Sequence, residues 1–381
     1  MKRKILYITG TRADYGLMQS VLREIEKRPK LELELIVTGM HTMPEFGMTI
    51  NEIKKDGFKI HEIDATYKKD NKESMANFVG EFIQLLTKKA NEITPDLILL
   101  LGDRGEMLAG AIVGAYLAIP VAHLHGGEIT STVDEFSRHA ITKLAHIHLP
   151  ATEKSAERII KMGEDPSNIF IVGAPGLDSI LNETLIEPAE LSKKYNLDLS
   201  KPIFLMVQHP VTTEVRDARE HIRETLEAIV WLRHQTILIY PNADAGSRAM
   251  IEVIKEYEKY PVIKAFKSIP HKEYLSLMKI ASVMVGNSSS GIIEAPSFGL
   301  PVVNIGSRQE GRERAENVID VDYDKEQIET AIKKALDDEN FKEKVKNCKS
   351  PYGDGKAGVR IADILSRIKI DKKLLQKRLT Y

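Results

Sequence analysis

"PDLILLLGDRGEMLAGA", residues 95–111, decides how the rest of the chain is read. Leu97 to Leu101 form an unbroken aliphatic run of strand length, bounded by Pro95 and Gly102. A continuous rather than alternating run marks a strand buried on both faces, as in a parallel sheet covered by helices. Asp103, Arg104 and Glu106 follow at once, and then small residues that suit a closely packed helix. In an open parallel sheet, the turn after a strand lies on the carboxyl edge where ligands bind, so this polar group sits where chemistry is done.

The same unit recurs along the chain. Strand candidates are "KILYITG" (4–10), "ELELIVTG" (32–39), "PVAHLHGG" (120–127) and "NIFIVGAP" (168–175) in the first half. The second half offers "PIFLMVQHP" (202–210), "TILIYPN" (236–242), "SVMVGNSS" (282–289) and "PVVNIGS" (301–307). Between them lie segments of helical period, such as "YGLMQSVLREIEKR" (15–28) and "KEYLSLMKIA" (272–281). A chain of 381 residues exceeds one ordinary core. The fold class is therefore α/β, with two Rossmann-like doubly wound domains and a cleft between them. The polar stretch Asn182–Pro202 reads as the linker, which gives domains at 1–181 and 182–358. Residues 359–381 read as a helix and basic tail returning to the first domain.

Composition limits the function. Lys and Arg number 54 against 55 Asp and Glu, for a net charge of -1, which argues against nucleic acid or a membrane surface as partner. The single Cys348 excludes an internal disulfide and any thiolate cluster, as expected in a reducing cytosol. No signal peptide is expected at "MKRKILYITGTRADYG". The long apolar stretch 107–125 is divided by Pro120 and reads as a buried helix and strand rather than a membrane span. The expected location is cytoplasmic.

Candidate site residues all follow strands. In "GNSSSGIIEAPSFGLPVVNIGSR" (286–308), Ser288, Ser289 and Ser290 open a helix whose free N–H groups favour an anion, and Glu294 sits one turn in to accept from sugar hydroxyls. Plain N-capping is the alternative. No GK[ST] or GxGxxG is present, which argues against ATP hydrolysis and a dinucleotide site. "TGTRADYG" (9–16) places Arg12 and Ala13 after the first strand, where Arg12 suits a phosphate or simply a surface ion pair and Asp14 a helix cap. "VQHPVTTE" (207–214) offers His209, before a proline-started helix, as a phosphate donor or an acid; "YPNADAGS" (240–247) offers Asn242 and Ser247.

In the histidine-rich segment 123–148, His123 and His125 would share a strand face and His139 a helix, but HExxH is absent and no metal is expected. His146 and His148 read as structural. Asp103, Glu128 and Asp134 would converge on one rim, and like charges crowded there should raise at least one pKa, leaving an acid and a base. Alternatively, Asp103 pairs with Arg104 or caps the next helix.

Taken together, "TRADYG", "GDR", "HLHGGE", "SRHAITKLAHIH", "VGAPGLD", "QHP", "PNADAGS", "GNSSSGIIEA" and "IGSRQEGRERAENVI" resemble the hydrolysing UDP-N-acetylglucosamine 2-epimerases, in order from Thr11 to Ile319. The resemblance implies a GT-B arrangement, assembly as a dimer or tetramer, a nucleotide-sugar ligand, and no redox cofactor or metal. It implies that Arg12, Ala13, His209, Ser288, Ser289, Ser290 and Arg308 surround the diphosphate and ribose, and that Asn242, Ile269 and Glu294 lie about the nucleoside. Arg104 would face the substrate, while Asp103, Glu128 and Asp134 would match the acid/base carboxylates, with His209 beside them. Gly105 stands where the family often carries a large aromatic. Alternatives are a UDP- or GDP-linked diacetamido sugar, the non-hydrolysing reaction, and a GT-B glycosyltransferase; "HGGE" and "GNSSSGI" favour the hydrolysing branch.

Overall fold

The computed structural model describes residues 2–69, 71–129, 133–182, 184–378 and 380. Two six-stranded sheets carry the fold. The first comprises β1 (Arg3–Thr9), β2 (Leu31–Val37), β3 (Ile60–Glu62), β4 (Leu97–Leu101), β5 (Val121–Leu124) and β6 (Ile147–Leu149), in the order β3-β2-β1-β4-β5-β6. The second comprises β7 (Ile203–Val207), β8 (Gln235–Ile239), β9 (Ile263–Phe266), β10 (Val283–Gly286), β11 (Val302–Ile305) and β12 (Val318–Val321), in the order β12-β11-β10-β7-β8-β9. Every pairing is parallel. Renumbered from its own first strand, each sheet has the doubly wound order 3-2-1-4-5-6.

The aliphatic runs behave as their composition requires. On β1 and β4, Leu6, Ile8, Ile98 and Leu100 enter the layer filled by Phe78, Phe82 and Leu86 of the helix Lys72–Ile93. Their neighbours Ile5, Tyr7, Leu97 and Leu99 enter the opposite layer with Met18, Leu22 and Ile25 of the helix Arg12–Glu26. Alternate residues thus bury on opposite faces, each large side chain contributing about 1.5–3 kcal/mol.

Three expectations change. "NIFIVGAP" is no strand: Ile169 makes one isolated bridge to His148, and Phe170 and Val172 hydrogen-bond His148 and Pro150, but the segment does not join the sheet. The short strands β3, β9 and β12, unmarked in the sequence, supply sheet edges instead. The segment 182–202 carries a helix, Pro188–Tyr195, anchored by buried Leu191 and by Lys194 at 2.6 Å from Glu273; Glu183 lies outside the described residues.

The helix Ala357–Arg367 lies against the helix Arg12–Glu26, with Ile361 and Leu365 buried in the layer beneath β1. Asp178 caps its start, accepting from the Ala357 and Gly358 amides at 2.8 and 2.6 Å. Among the described residues no helix is long and apolar enough to cross a membrane.

Candidate active site

Where β1 and β4 diverge, and where β7 and β10 diverge, helices leave from opposite faces and open a crevice at the carboxyl edge. The two crevices face one another across a single cavity of about 280 Å³, near the lower end of the small-molecule range. Its walls include Arg12, Ala13, Asp103, Arg104, Asp134 and His209. Asn242, Ile269, Ser288, Ser289, Ser290, Glu294 and Arg308 complete the set. Of the catalytic and ligand-binding residues that the resemblance implies, all but Glu128 line the cavity; Ser247, also offered by the sequence, does not line it either. Glu128 is 2% exposed and lies one layer back, behind His125 and Arg312.

Local structure sets each position. Thr11 caps the helix Arg12–Glu26 in a reciprocal box: the Asp14 amide donates to Thr11 Oγ1 at 3.2 Å, and the Thr11 amide donates to Asp14 Oδ2 at 3.0 Å. Arg12 is thereby aimed into the cavity. Its Nε and Nη2 have no hydrogen-bond partner, and the carboxylate of Glu52 lies 3.8 Å away. Desolvation lowers this guanidinium to about 10 despite Glu52.

His209 follows β7. Its amide donates to Asn287 Oδ1 at 2.7 Å, and its Nδ1 accepts from the Asn242 amide at 3.1 Å. The ring proton is therefore on Nε2. Burial, reinforced by Arg308 and Arg104, holds the imidazole well below its usual pKa. His209 is a neutral donor and not a cationic acid. No proline-started helix follows it; Pro210 lies in irregular chain and the helix begins only at Ala218, after a 3-10 turn at Val215–Asp217.

The serine loop opens a helix of one turn, Ser290–Ile293, because Pro296 starts a 3-10 turn, Ala295–Phe298. A helix that short carries little dipole. The donors here are hydroxyls and amides, with the Ser290 amide turned to Ser288 Oγ at 3.3 Å. Glu294 is buried, its Oε2 unpartnered, and desolvation raises its carboxyl to about 7. Arg308 Nη1 donates to the Asn287 carbonyl at 3.3 Å while its Nε has no partner.

Of the three carboxylates, Glu128 is lowered rather than raised by its neighbours, against the expectation of a raised pKa. Each is paired with an arginine. Asp103 is bound by Arg138, not by Arg104, which reaches Tyr67 at 3.2 Å and Asp244 at 3.4 Å. Asp134 lies 3.9 Å from Arg308. Glu128 is held by Arg312 and His125, which overcome the desolvation that would raise it and bring it to about 2. On the cavity wall, the carboxyls raised by desolvation are instead Asp14, at about 6, and Glu294.

Turn geometry explains "HGGE". His125 has left the strand at φ 59, so it does not share a face with His123, which bonds the Gly102 carbonyl at 2.7 Å. Gly127 has φ 75, and a Cβ there would stand 2.2 Å from the Ser155 carbonyl oxygen. Only glycine lets the chain double back and bury Glu128. Gly105 is constrained less severely: a Cβ would meet the Val79 side chain, at Cγ2, at 2.8 Å, so a larger residue there requires the helix Lys72–Ile93 to shift. His146 Nδ1 accepts from the Val121 amide, and His148 pairs with buried Glu164. Among the described residues no cluster of three His, Cys, Asp or Glu could hold a metal ion.

Sequence reading missed Arg138, Arg312, His271 and Tyr274, all on the cavity wall. Arg138 follows Asp134 by one helical turn, a spacing that could have exposed it. Arg312 lay inside a quoted motif from which only Arg308 was drawn. His271 and Tyr274, on the helix His271–Ile280, carry no local signal.

Comparison with known proteins gives the lineage. Residues 23–366 match the family model described as UDP-N-acetylglucosamine 2-epimerase. The chain is 44% identical over 378 residues to the hydrolysing UDP-N,N'-diacetylbacillosamine 2-epimerase of Legionella pneumophila, covering 99% of each. It is 40% identical over 336 residues to the UDP-N-acetylglucosamine 2-epimerase of Neisseria meningitidis, covering 87% of each. The crystal structure of UDP-GlcNAc 2-epimerase from N. meningitidis bound to UDP-GlcNAc superimposes with a TM-score of 0.79 at 20% identity, over 95% of this chain and 99% of that one. The fold is thus of the GT-B type, and this chain belongs to the hydrolysing 2-epimerases of the UDP-N-acetylglucosamine 2-epimerase family.

Proposed function

We propose that the chain cleaves a UDP-linked 2,4-diacetamido sugar of the N,N'-diacetylbacillosamine type, releasing UDP and the free sugar inverted at C2. The observation that carries the substrate is the 44% identity, over 99% of both chains, to the Legionella UDP-N,N'-diacetylbacillosamine 2-epimerase. UDP-N-acetylglucosamine, giving N-acetylmannosamine, is the second reading, favoured by the 40% identical Neisseria relative. The two sheets serve as domains, 1–181 and 182–358, that hold the nucleotide between them, with 359–381 returned to the first.

The chemistry follows from the substrate. Its C1 is an acetal carbon, so no carbonyl acidifies the C2 proton. UDP leaves with the C1–O electron pair, and the oxocarbenium-like C1 makes the C2 proton labile. A carboxylate takes that proton while the C2–H pair forms the C1=C2 bond of a 2-acetamidoglycal. Water then delivers hydroxide to C1, and a proton reaches C2 on the opposite face.

Stabilising the departing diphosphate is the principal electrostatic demand. Arg12, with unpartnered donors, the Nε2–H of His209, Arg308 and the serine loop line one cavity. Each donor aimed at the developing charge supplies about 3 kcal/mol. Asp103 and Asp134 line the same cavity, which supports assigning them the exchange of the C2 proton. The test is incubation with each nucleotide sugar in D₂O, with products read by NMR. The expected result is the free C2 epimer carrying deuterium at C2, formed faster from the diacetamido sugar. Release of UDP with a C2-protiated or uninverted sugar would refute the reaction, and a preference for UDP-N-acetylglucosamine would select the second substrate.

A further inference from the structure

Glu128, the one candidate carboxylate away from the cavity, is tied to the other half of the molecule. Arg312 lies between β11 and β12, and its Nε donates to Glu128 Oε2 at 3.1 Å, with Nη2 bound to the same oxygen. The two residues are separated by 184 positions, and their side chains are 7% and 2% exposed. Arg312 Nη1 is fixed by Gln309 Oε1 at 2.9 Å, and Gln309 Nε2 by the Asn287 carbonyl, so the guanidinium is held to the loop that carries Ser288. The next residue, Glu313, accepts from Thr152 of the first half at 2.5 Å. On its other oxygen, Glu128 meets His125 Nδ1, and His125 lines the cavity.

We infer that Arg312 is a positioning residue: reaching across from the second sheet, it keeps Glu128 a carboxylate, and Glu128 in turn holds His125 toward the sugar. The assignment rests on the functional reading above. A buried carboxylate clasped by a guanidinium stays ionised, and removing that charge raises its pKa. The other charged and titratable groups about Glu128 are few. His123 lies on its own strand, Glu294 and Tyr352 belong to the facing half, and the Arg158 guanidinium is taken by the Gly127 carbonyl at 3.0 Å. None of these replaces Arg312. Bringing the halves together therefore completes the Glu128–His125 pair, and separating them releases it.

The test uses the full chain with Glu side-chain carboxyls labelled by ¹³C, the Glu128 signal being assigned by its loss in Glu128→Gln. In wild type that signal stays ionised down to pH 4, while in Arg312→Met it titrates above pH 5. This readout needs no turnover, so it stands apart from the substrate assignment. In the turnover assay, Arg312→Met is expected to lower kcat by about 10-fold for each pH unit below the raised Glu128 pKa, with UDP affinity within a few-fold and the acid limb of the kcat profile moved to higher pH. Arg312→Lys should recover part of both effects and shows that the site folds. An unchanged Glu128 titration in Arg312→Met, or a wild-type kcat and pH profile, overturns the assignment. Failure of the wild-type enzyme to epimerise either sugar, with the titration shift intact, removes the functional reading and leaves the electrostatic coupling.

Discussion

Replacing Arg12 with Met should raise the stability of the unliganded protein and at the same time weaken nucleotide binding. In the unliganded protein the guanidinium is 15% exposed, Nε and Nη2 have no partner, and Glu52 is 3.8 Å away. A buried donor without an acceptor costs about 1–3 kcal/mol. Met fills a similar volume with no polar group, and Glu52, 36% exposed, retains its water. The unliganded variant should therefore gain about 1–3 kcal/mol, which is a few degrees in Tm at ~2–4 °C per kcal/mol. A diphosphate supplies the missing acceptors, and loss of such a charged pair costs about 2–5 kcal/mol of affinity. With UDP at 100 times the wild-type Kd, wild type gains about 2.7 kcal/mol. A variant weakened 100-fold gains only about 0.4 kcal/mol at that concentration. Thermal melts with and without UDP, joined to calorimetric titration, measure both effects. A variant that melts lower than wild type without ligand, or binds UDP within three-fold of it, refutes the reasoning.

The other predictions follow from the same geometry. Asp103→Asn and Asp134→Asn should each lower kcat by about 10²–10⁴-fold with UDP affinity nearly unchanged, as steady-state kinetics and titration will show; near-normal turnover in both removes the carboxylates from the proton transfer. Glu294 is raised from 4.5 to about 7 by burial. Its folded form holds a proton that its unfolded form gives up, so its contribution is complete below pH 4.5 and is lost as pH rises through 7. The limiting slope is ~1.4 kcal/mol per pH unit. Urea denaturation at pH 5 and pH 8 should show Glu294→Gln losing less stability over that interval than wild type, and equal losses would disprove the assignment.

How much of this was legible in the sequence depends on the range of the interaction. Strands β1, β4, β7 and β10 announce themselves because burial on both faces demands continuous aliphatic residues, and the polar groups after them are adjacent in sequence. Edge strands such as β3 and β12 are half-exposed, lack that pattern and went unmarked. The run at 168–175 had the composition of a strand, yet secured only one bridge beside β6, because pairing requires a partner edge as well as propensity. The helix after the serines runs for a single turn, as Pro296 in the sequence requires.

From the amino-acid order alone come the doubly wound fold, the carboxyl-edge location of nearly every candidate side chain, and the family. These rest on hydrophobic period and local turn chemistry, which act within a few residues. The pairing of charges came only from the folded chain: Asp103 with Arg138, Asp134 with Arg308, and Glu128 with Arg312 from the other half. Coulombic pairing depends on distance in space and on how far water is excluded, and neither is written in the spacing of residues along the chain. That is why three carboxylates that resembled a repelling cluster proved to be three ion pairs, and why the carboxyl raised to about 7 was Glu294.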